Sequence, residues 1–282
     1  MNSFRRISVC FLAAAMTLLL LAGCAGNEEP AEEPAGETEA VIALVEDEPK
    51  PEPSPEPATP ASRAAALGMP APPDIDITSW EFAVANYYNS INEYDIERYG
   101  GFEGQGFDAR AIDSLTAFVR GARSAGYRMY AAVTYRNFEW CLNHYTSISR
   151  ELGGAAQAAA ADNTVAHGLG VNEHQTGLAV DLTDQFNLSA NYGRITNDGF
   201  EETEAFDWAY EHCAEYGFIY RYPPDKEDYY VARCIEGHFR YVGVEAATYI
   251  MENDLCLEEF LLLYDDEAVF VPWLWEQQGK FD

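Results

Sequence analysis

The chain has 282 residues, with 17 Lys and Arg against 47 Asp and Glu, for a formal net charge of -30. That balance, with no basic cluster, excludes nucleic acid as a partner, because phosphate contacts need Lys and Arg. The acidity itself reports mainly on solubility.

Residues 1–24 read as a lipoprotein signal. Arg5 and Arg6 give a positive start, an apolar run spans Val9 to Leu21, and Leu21-Ala22-Gly23-Cys24 follows. The run is short for a spanning helix and ends in small residues. Cys24 is the expected lipidation site, which places the mature protein outside the cytoplasm and anchors it to the membrane without crossing it. Residues 25–73 are rich in Pro, Glu and Ala. Such a stretch buries too little apolar surface to offset its ordering entropy and is expected to be a disordered acidic tether.

Residues 74–282 make one domain's worth of chain, dense in Tyr, Phe and Trp. Residues 79–90 read as its first strand or helix. Asp108 reads as the N-cap of a helix from Ala109 to Ala125, with Ile112, Leu115, Val119 and Ala122 at helical spacing and Gly126 as its stop. Tyr127 to Val133 then reads as a strand leading to Arg136, followed by a helix from Phe138 to Arg150. Residues 151–171 read as a partly helical excursion. Leu178 to Leu182 reads as a strand, Thr203 to Tyr216 as a helix stopped by Gly217, and Phe218 to Tyr222 as a strand broken by Pro223-Pro224-Asp225. Further strands are expected at Tyr229–Ile235 and His238–Val242, then helices at 244–253 and 257–264. Strands and helices mix without regular alternation, which predicts an α+β domain with helices around a small, mainly antiparallel sheet. Cys141, Cys213, Cys234 and Cys256 remain for the exported domain, and their pairing is open.

His174, Asp181 and His238 are the expected metal ligands. Zinc takes imidazole nitrogen and carboxylate oxygen tetrahedrally, and a catalytic site leaves a position for water. On a helix, positions seven apart lie about 10 Å apart along the axis, too far for one ion. On a regular strand they point to opposite faces. The chain between His174 and Asp181 must therefore bend, and Gly177 is the residue that can bend it. His144, His167 and His212 carry no partner pattern and read as structural or exposed.

His174-Gln-Thr-Gly177-Leu-Ala179-Val-Asp181 with His238-Phe-Arg-Tyr241 resembles the zinc D-alanyl-D-alanine carboxypeptidases of the VanY type. Thr134-Tyr135-Arg136 and Arg221-Tyr222-Pro223 add to the likeness, which runs from about residue 80 to 265. The resemblance implies a zinc site at the sheet and a D,D-carboxypeptidase acting on peptidoglycan stem peptides. It implies that Arg136 binds the substrate's terminal carboxylate. A guanidinium fork suits that task and stays charged. Gln175, Tyr222 and Asn172 are further candidates for substrate binding.

The family places a Glu three residues before its last ligand, where this chain has Ile235. Glu236 is the expected base here instead. On an extended chain, residues two apart face the same side about 6.6 Å apart. Cys141, Asn172 and Gly237 also differ from the family's usual residues. These differences motivate two alternatives: an L,D-carboxypeptidase or wall-peptide endopeptidase of the same fold, or a non-catalytic zinc-containing wall-binding module.

Overall fold

One face of a small sheet is apolar and the other mostly polar, and this asymmetry places the candidate site. The computed structural model describes residues 58–86, 88–91, 96, 99–151, 153–154, 170–185, 199–230 and 237–271. The sheet contains β3 (Tyr130–Val133), β4 (Ala179–Thr183), β5 (Phe218–Tyr220) and β6 (His238–Tyr241), in the order β3-β4-β6-β5 and antiparallel throughout. Val180 pairs with Phe239, and Tyr220 with Phe239 from the other side. Directly opposed residues share a face, so these side chains, with Leu182 and Phe218, form one apolar layer.

Helices α2 (Ile112–Ser124) and α4 (Glu204–His212) supply the other half of that core. Leu115, Phe118, Val119 and Ala122 of α2 are buried at helical spacing, as expected. The helix starts later than Ala109. Asp108 ends strand β2 (Gln105–Asp108) and accepts hydrogen bonds from the backbone and guanidinium of Arg110 instead of capping the helix. Thr203 does cap α4, accepting from the N–H of Phe206.

The opposite face presents Asp181, His238 and Arg240 together with Ile219. Helices α6 (Val244–Glu252) and α7 (Leu257–Tyr264) build a second core around Ile219 and Val242. Helix α3 (Phe138–Glu151) follows β3. The α+β expectation with a small antiparallel sheet is met.

Three elements depart from expectation. Strands β1 (Tyr99–Phe102) and β2 (Gln105–Asp108) form a hairpin that the sequence pattern did not suggest. Residues 79–90 contribute only a short 3-10 turn, Trp80–Phe82. Tyr229 and Tyr230 lie in helix α5 (Glu227–Tyr230), not in a strand. Pro224 opens a 3-10 turn over Pro224–Lys226 that runs straight into α5, because its fixed φ suits a first helical position.

The packed domain also begins before residue 74. Helix α1 (Pro60–Ala66) is capped by Thr59 and buries Ala64 in the second core. Arg63 donates to the carbonyl of Leu262 at 3.0 Å, and the hydroxyls of Tyr249 and Tyr264 bond the carbonyls of Pro70 and Pro73. No helix among the described residues is long and apolar enough to cross a membrane. Cys141, Cys213 and Cys256 are buried, while Cys234, Cys24 and His167 lie outside the described residues.

Candidate metal centre

Asp181 and His238 are register partners on the adjacent strands β4 and β6. Sheet pairing alone therefore brings together two residues far apart in sequence. His174 comes from the 3-10 turn Glu173–Thr176 just before β4. Gly177 ends that turn at φ 71°, the left-handed conformation, and redirects the chain into the strand. A side chain there would also meet Ile96 Cδ1 at 2.9 Å and the backbone nitrogen of Asp108 at 3.3 Å. The bend expected between His174 and Asp181 is thus present, and Gly177 makes it.

One donor atom from each of His174, Asp181 and His238 lies within 4.8 Å of the others. His174 Nε2 is 3.2 Å from Asp181 Oδ2, and His238 Nδ1 is 2.7 Å from Asp181 Oδ1. All three residues are almost fully buried. Burial pushes the Asp181 carboxyl up, but His174 and His238 outweigh it and hold Asp181 well below the usual carboxylate range. Burial dominates at His174 and lowers its pKa, which favours the neutral ring a metal needs.

Sequence reasoning missed the residues behind this cluster. Glu173 is buried and accepts at Oε2 from His238 Nε2 at 2.9 Å. Its Oε1 accepts from Arg221 Nε at 2.7 Å and from Arg240 Nη1 at 2.9 Å. Burial would raise its pKa, but the two guanidinium groups and His238 outweigh that and hold it far below the ordinary range. Arg221 also makes a two-pronged bond to Glu258, at 2.8 and 2.7 Å. Arg240 Nη2 donates to the carbonyls of Glu81 and Ala83. Because a carboxylate only accepts, Glu173 fixes the proton of His238 on Nε2. Nδ1 faces Asp181; burial would lower the pKa of the ring, but the hydrogen bonds to Asp181 and Glu173 outweigh it and raise it.

That arrangement fits a cation. Once a cation takes the place of the proton shared with Asp181, His238 Nδ1, His174 Nε2 and an Asp181 oxygen would present lone pairs to one buried point, and no Lys or Arg is bonded to Asp181 among the described residues. Two imidazoles and a carboxylate are a donor set that zinc accepts in catalytic sites. The second ring nitrogen of His238 is held by a carboxylate, as metal-bound histidines usually are.

Around the cluster, Arg136 donates its backbone N–H to the carbonyl of His174 at 3.1 Å. Its guanidinium lies over the ring of Trp140, 4.1 Å from the centroid. It makes no hydrogen bond or ion pair with any described residue. Burial draws its pKa down while Asp181 acts in the opposite direction. Tyr222 is buried with its ring 5.0 Å from that of His238. Gln175 is fully buried in the ligand turn. Asn172 caps that turn, its Oδ1 accepting from the N–H of His174 at 3.0 Å, so its side chain holds the metal ligand in place. Glu236, the expected base, lies outside the described residues.

Comparison with known proteins agrees with this geometry. A family model described as VanY, D-alanyl-D-alanine carboxypeptidase, matches residues 105–244. A D-alanyl-D-alanine carboxypeptidase of Enterococcus faecalis is 34% identical over 193 residues, covering 66% of this chain and 67% of that protein. The solved structure of a mutant VanB-type D,D-pentapeptidase VanY, in complex with Zn(II), is 33% identical and superposes with a TM-score of 0.53 over 65% of this chain and 99% of that one. VanYB in complex with D-alanine-D-alanine gives 32%, a TM-score of 0.52, and coverage of 65% and 98%. With its donor triad on the β4–β6 pair and these relatives, the chain belongs to the VanY family of D-alanyl-D-alanine carboxypeptidases.

Proposed function

We propose that this protein is a zinc-dependent D,D-carboxypeptidase that removes the terminal D-Ala from peptidoglycan stem peptides, outside the cytoplasm and anchored by lipid at Cys24. The observation that carries this reading is the Arg136 guanidinium. It is a largely buried cation strapped to the backbone of His174, with no ion-pair partner among the described residues. Glu173 and Glu258 are already matched by Arg221 and Arg240. With Asp181 as the triad's anion, a divalent ion would leave the site positive. An anionic chain end suits such a site, and a peptide's middle does not.

His174 Nε2, Asp181 and His238 Nδ1 would hold the zinc, which when bound supplies Lewis-acid polarisation of a carbonyl and brings the pKa of water toward neutrality. Arg136 binds the terminal carboxylate and so sets which amide reaches the triad. Tyr222 walls the His238 side. Gln175 and Asn172 hold the ligand turn, with Gln175 also a candidate contact for the peptide. Glu173 is fully engaged with His238, Arg221 and Arg240, so it is not free to shuttle protons. Glu236 is the proposed base: it takes a proton from the attacking water and returns it to the departing D-Ala amine.

The test is D-alanine release from a pentapeptide-ended muropeptide by the zinc-loaded full chain. Glu236→Gln should lower kcat about 100- to 10,000-fold with metal content unchanged. Release of D-Ala from tetrapeptide ends alone would make the protein an L,D-carboxypeptidase instead. For the anchor, fatty-acid labelling of cells should mark the wild type and not Cys24→Ala.

A further inference from the structure

We infer that Trp140 is a positioning residue for substrate recognition: its indole face holds the Arg136 guanidinium so that every N–H of the fork stays available to a terminal carboxylate. The inference rests on the carboxypeptidase reading above and adds a determinant to it.

A buried arginine can be held still in two ways. A carboxylate partner fixes it but consumes its charge and its donors, as Glu173 and Glu258 do for Arg221. An aromatic face fixes it without consuming either, because the donors lie in the guanidinium plane and the ring touches only the face of that plane. Arg221 and Arg240 are held mainly by oxygen acceptors; Arg136 is held by a ring, with its Cζ 4.1 Å from the Trp140 centroid. A cation meant to receive an anion needs the second arrangement.

Trp140 is itself well fixed. Its backbone N–H donates to Asn137 Oδ1 at 2.8 Å in the first turn of α3. Its ring stacks on His144, one helical turn on, with centroids 4.6 Å apart and planes 27° apart. At the other end, the Arg136 backbone is tied to the carbonyl of His174. Arg136 is thus fixed at its backbone by a donor residue of the triad and at its tip by the indole. The distance between carboxylate subsite and triad is set by these two contacts.

The experiment uses the zinc-loaded full chain and two probes that carry no scissile peptide bond, D-alanine and D-alaninamide, in equilibrium binding. Wild type should prefer the carboxylate. Trp140→Ala should weaken D-alanine binding roughly 2- to 30-fold, the span of an ordinary cation–π contact, and leave D-alaninamide binding and zinc content unchanged. Trp140→Phe, which keeps a ring face, should restore most of the loss. With peptide substrate, the same variants should raise KM and leave kcat nearly intact. The inference is overturned if Trp140→Ala binds D-alanine as wild type does, if both probes weaken equally, or if Phe fails as badly as Ala. A wild type with no preference between the probes would overturn the role of Arg136 itself, and that result is seen before any variant is made.

Discussion

Glu173 and Asp181 hold opposite ends of one imidazole: Glu173 Oε2 accepts a hydrogen bond from His238 Nε2 at 2.9 Å, and Asp181 Oδ1 lies 2.7 Å from Nδ1. Fixing the tautomer and the ring angle from behind is a recognised way to raise the affinity of a metal ligand. Glu173→Gln keeps the volume and removes the charge. It should weaken zinc binding roughly 10- to 100-fold, read by competition with a chromophoric chelator. Glu173→Ala should do more, since it strips a buried partner from both Arg221 and Arg240; breaking such a pair costs about 3–5 kcal/mol in chemical denaturation. Unchanged metal affinity in Glu173→Gln would show that the sheet alone orients His238.

Gly177 carries a second prediction. Its φ of 71° is strained for any residue with a Cβ, and an added methyl would press on Ile96 Cδ1 and the nitrogen of Asp108. That nitrogen donates to the Gly177 carbonyl at 2.8 Å, which ties the hairpin to the ligand turn. Gly177→Ala should cost at least about 1–2 kcal/mol from the backbone alone. Because the strain sits between His174 and Asp181, zinc affinity should fall together with the melting temperature. A variant that loses stability but binds zinc normally would mean the bend relaxes without moving the donors.

The sequence made the triad legible because its geometry is local on one side and a strand pairing on the other. Six residues between His174 and Asp181, one of them a glycine, can be reasoned about from chain stereochemistry alone. The register of Asp181 opposite His238 could not be, and it entered through the likeness of the motifs. Glu173 was invisible as a working residue, since a Glu in a polar turn reads as solvated. What buries it are Arg221 and Arg240, 48 and 67 positions away. Helix α1 was hidden for a different reason: composition averaged over residues 25–73 is that of a tether, yet buried Ala64 and the bond from Arg63 to the Leu262 carbonyl seat one short helix against the second core. At Tyr229 and Tyr230 the expected strand is a helix, because Pro223-Pro224 can open a helical turn as readily as end a strand; the rest of that expected strand, 231–235, lies outside the described residues. The β1–β2 hairpin escaped because its glycines dilute the alternation on which strand recognition depends.

Arg136→Lys separates charge from shape. Lysine keeps the positive charge but offers neither a planar fork for the carboxylate nor a flat face for Trp140. KM for a pentapeptide-ended substrate should rise about tenfold or more, the cost of one charge-assisted hydrogen bond, with a smaller change in kcat. Equal KM values for Arg and Lys would mean that charge alone recognises the chain end.

The buried thiol of Cys213 gives a pH dependence whose sign can be worked out. Burial pushes its pKa from about 9 up to about 12, so the folded state keeps the proton over a range where the unfolded chain has lost it. The native state then binds more protons than the unfolded one between pH 9 and 12, and stability must fall as pH rises through that window. The slope from one such group approaches about 1.4 kcal/mol per pH unit. Tyr229, whose phenol burial also raises to about 12, adds its own share from about pH 10 upward. Cys213→Ala should therefore flatten the alkaline limb of the stability profile without abolishing it, as measured by urea denaturation at pH 8, 9, 10 and 11. The same burial keeps the native thiol protonated at pH 8, and the thiolate is the reactive form. Alkylation of Cys213 should thus wait for unfolding. Rapid labelling of Cys213 in the folded protein at pH 8 would show that the α4–sheet core opens far more readily than its packing implies.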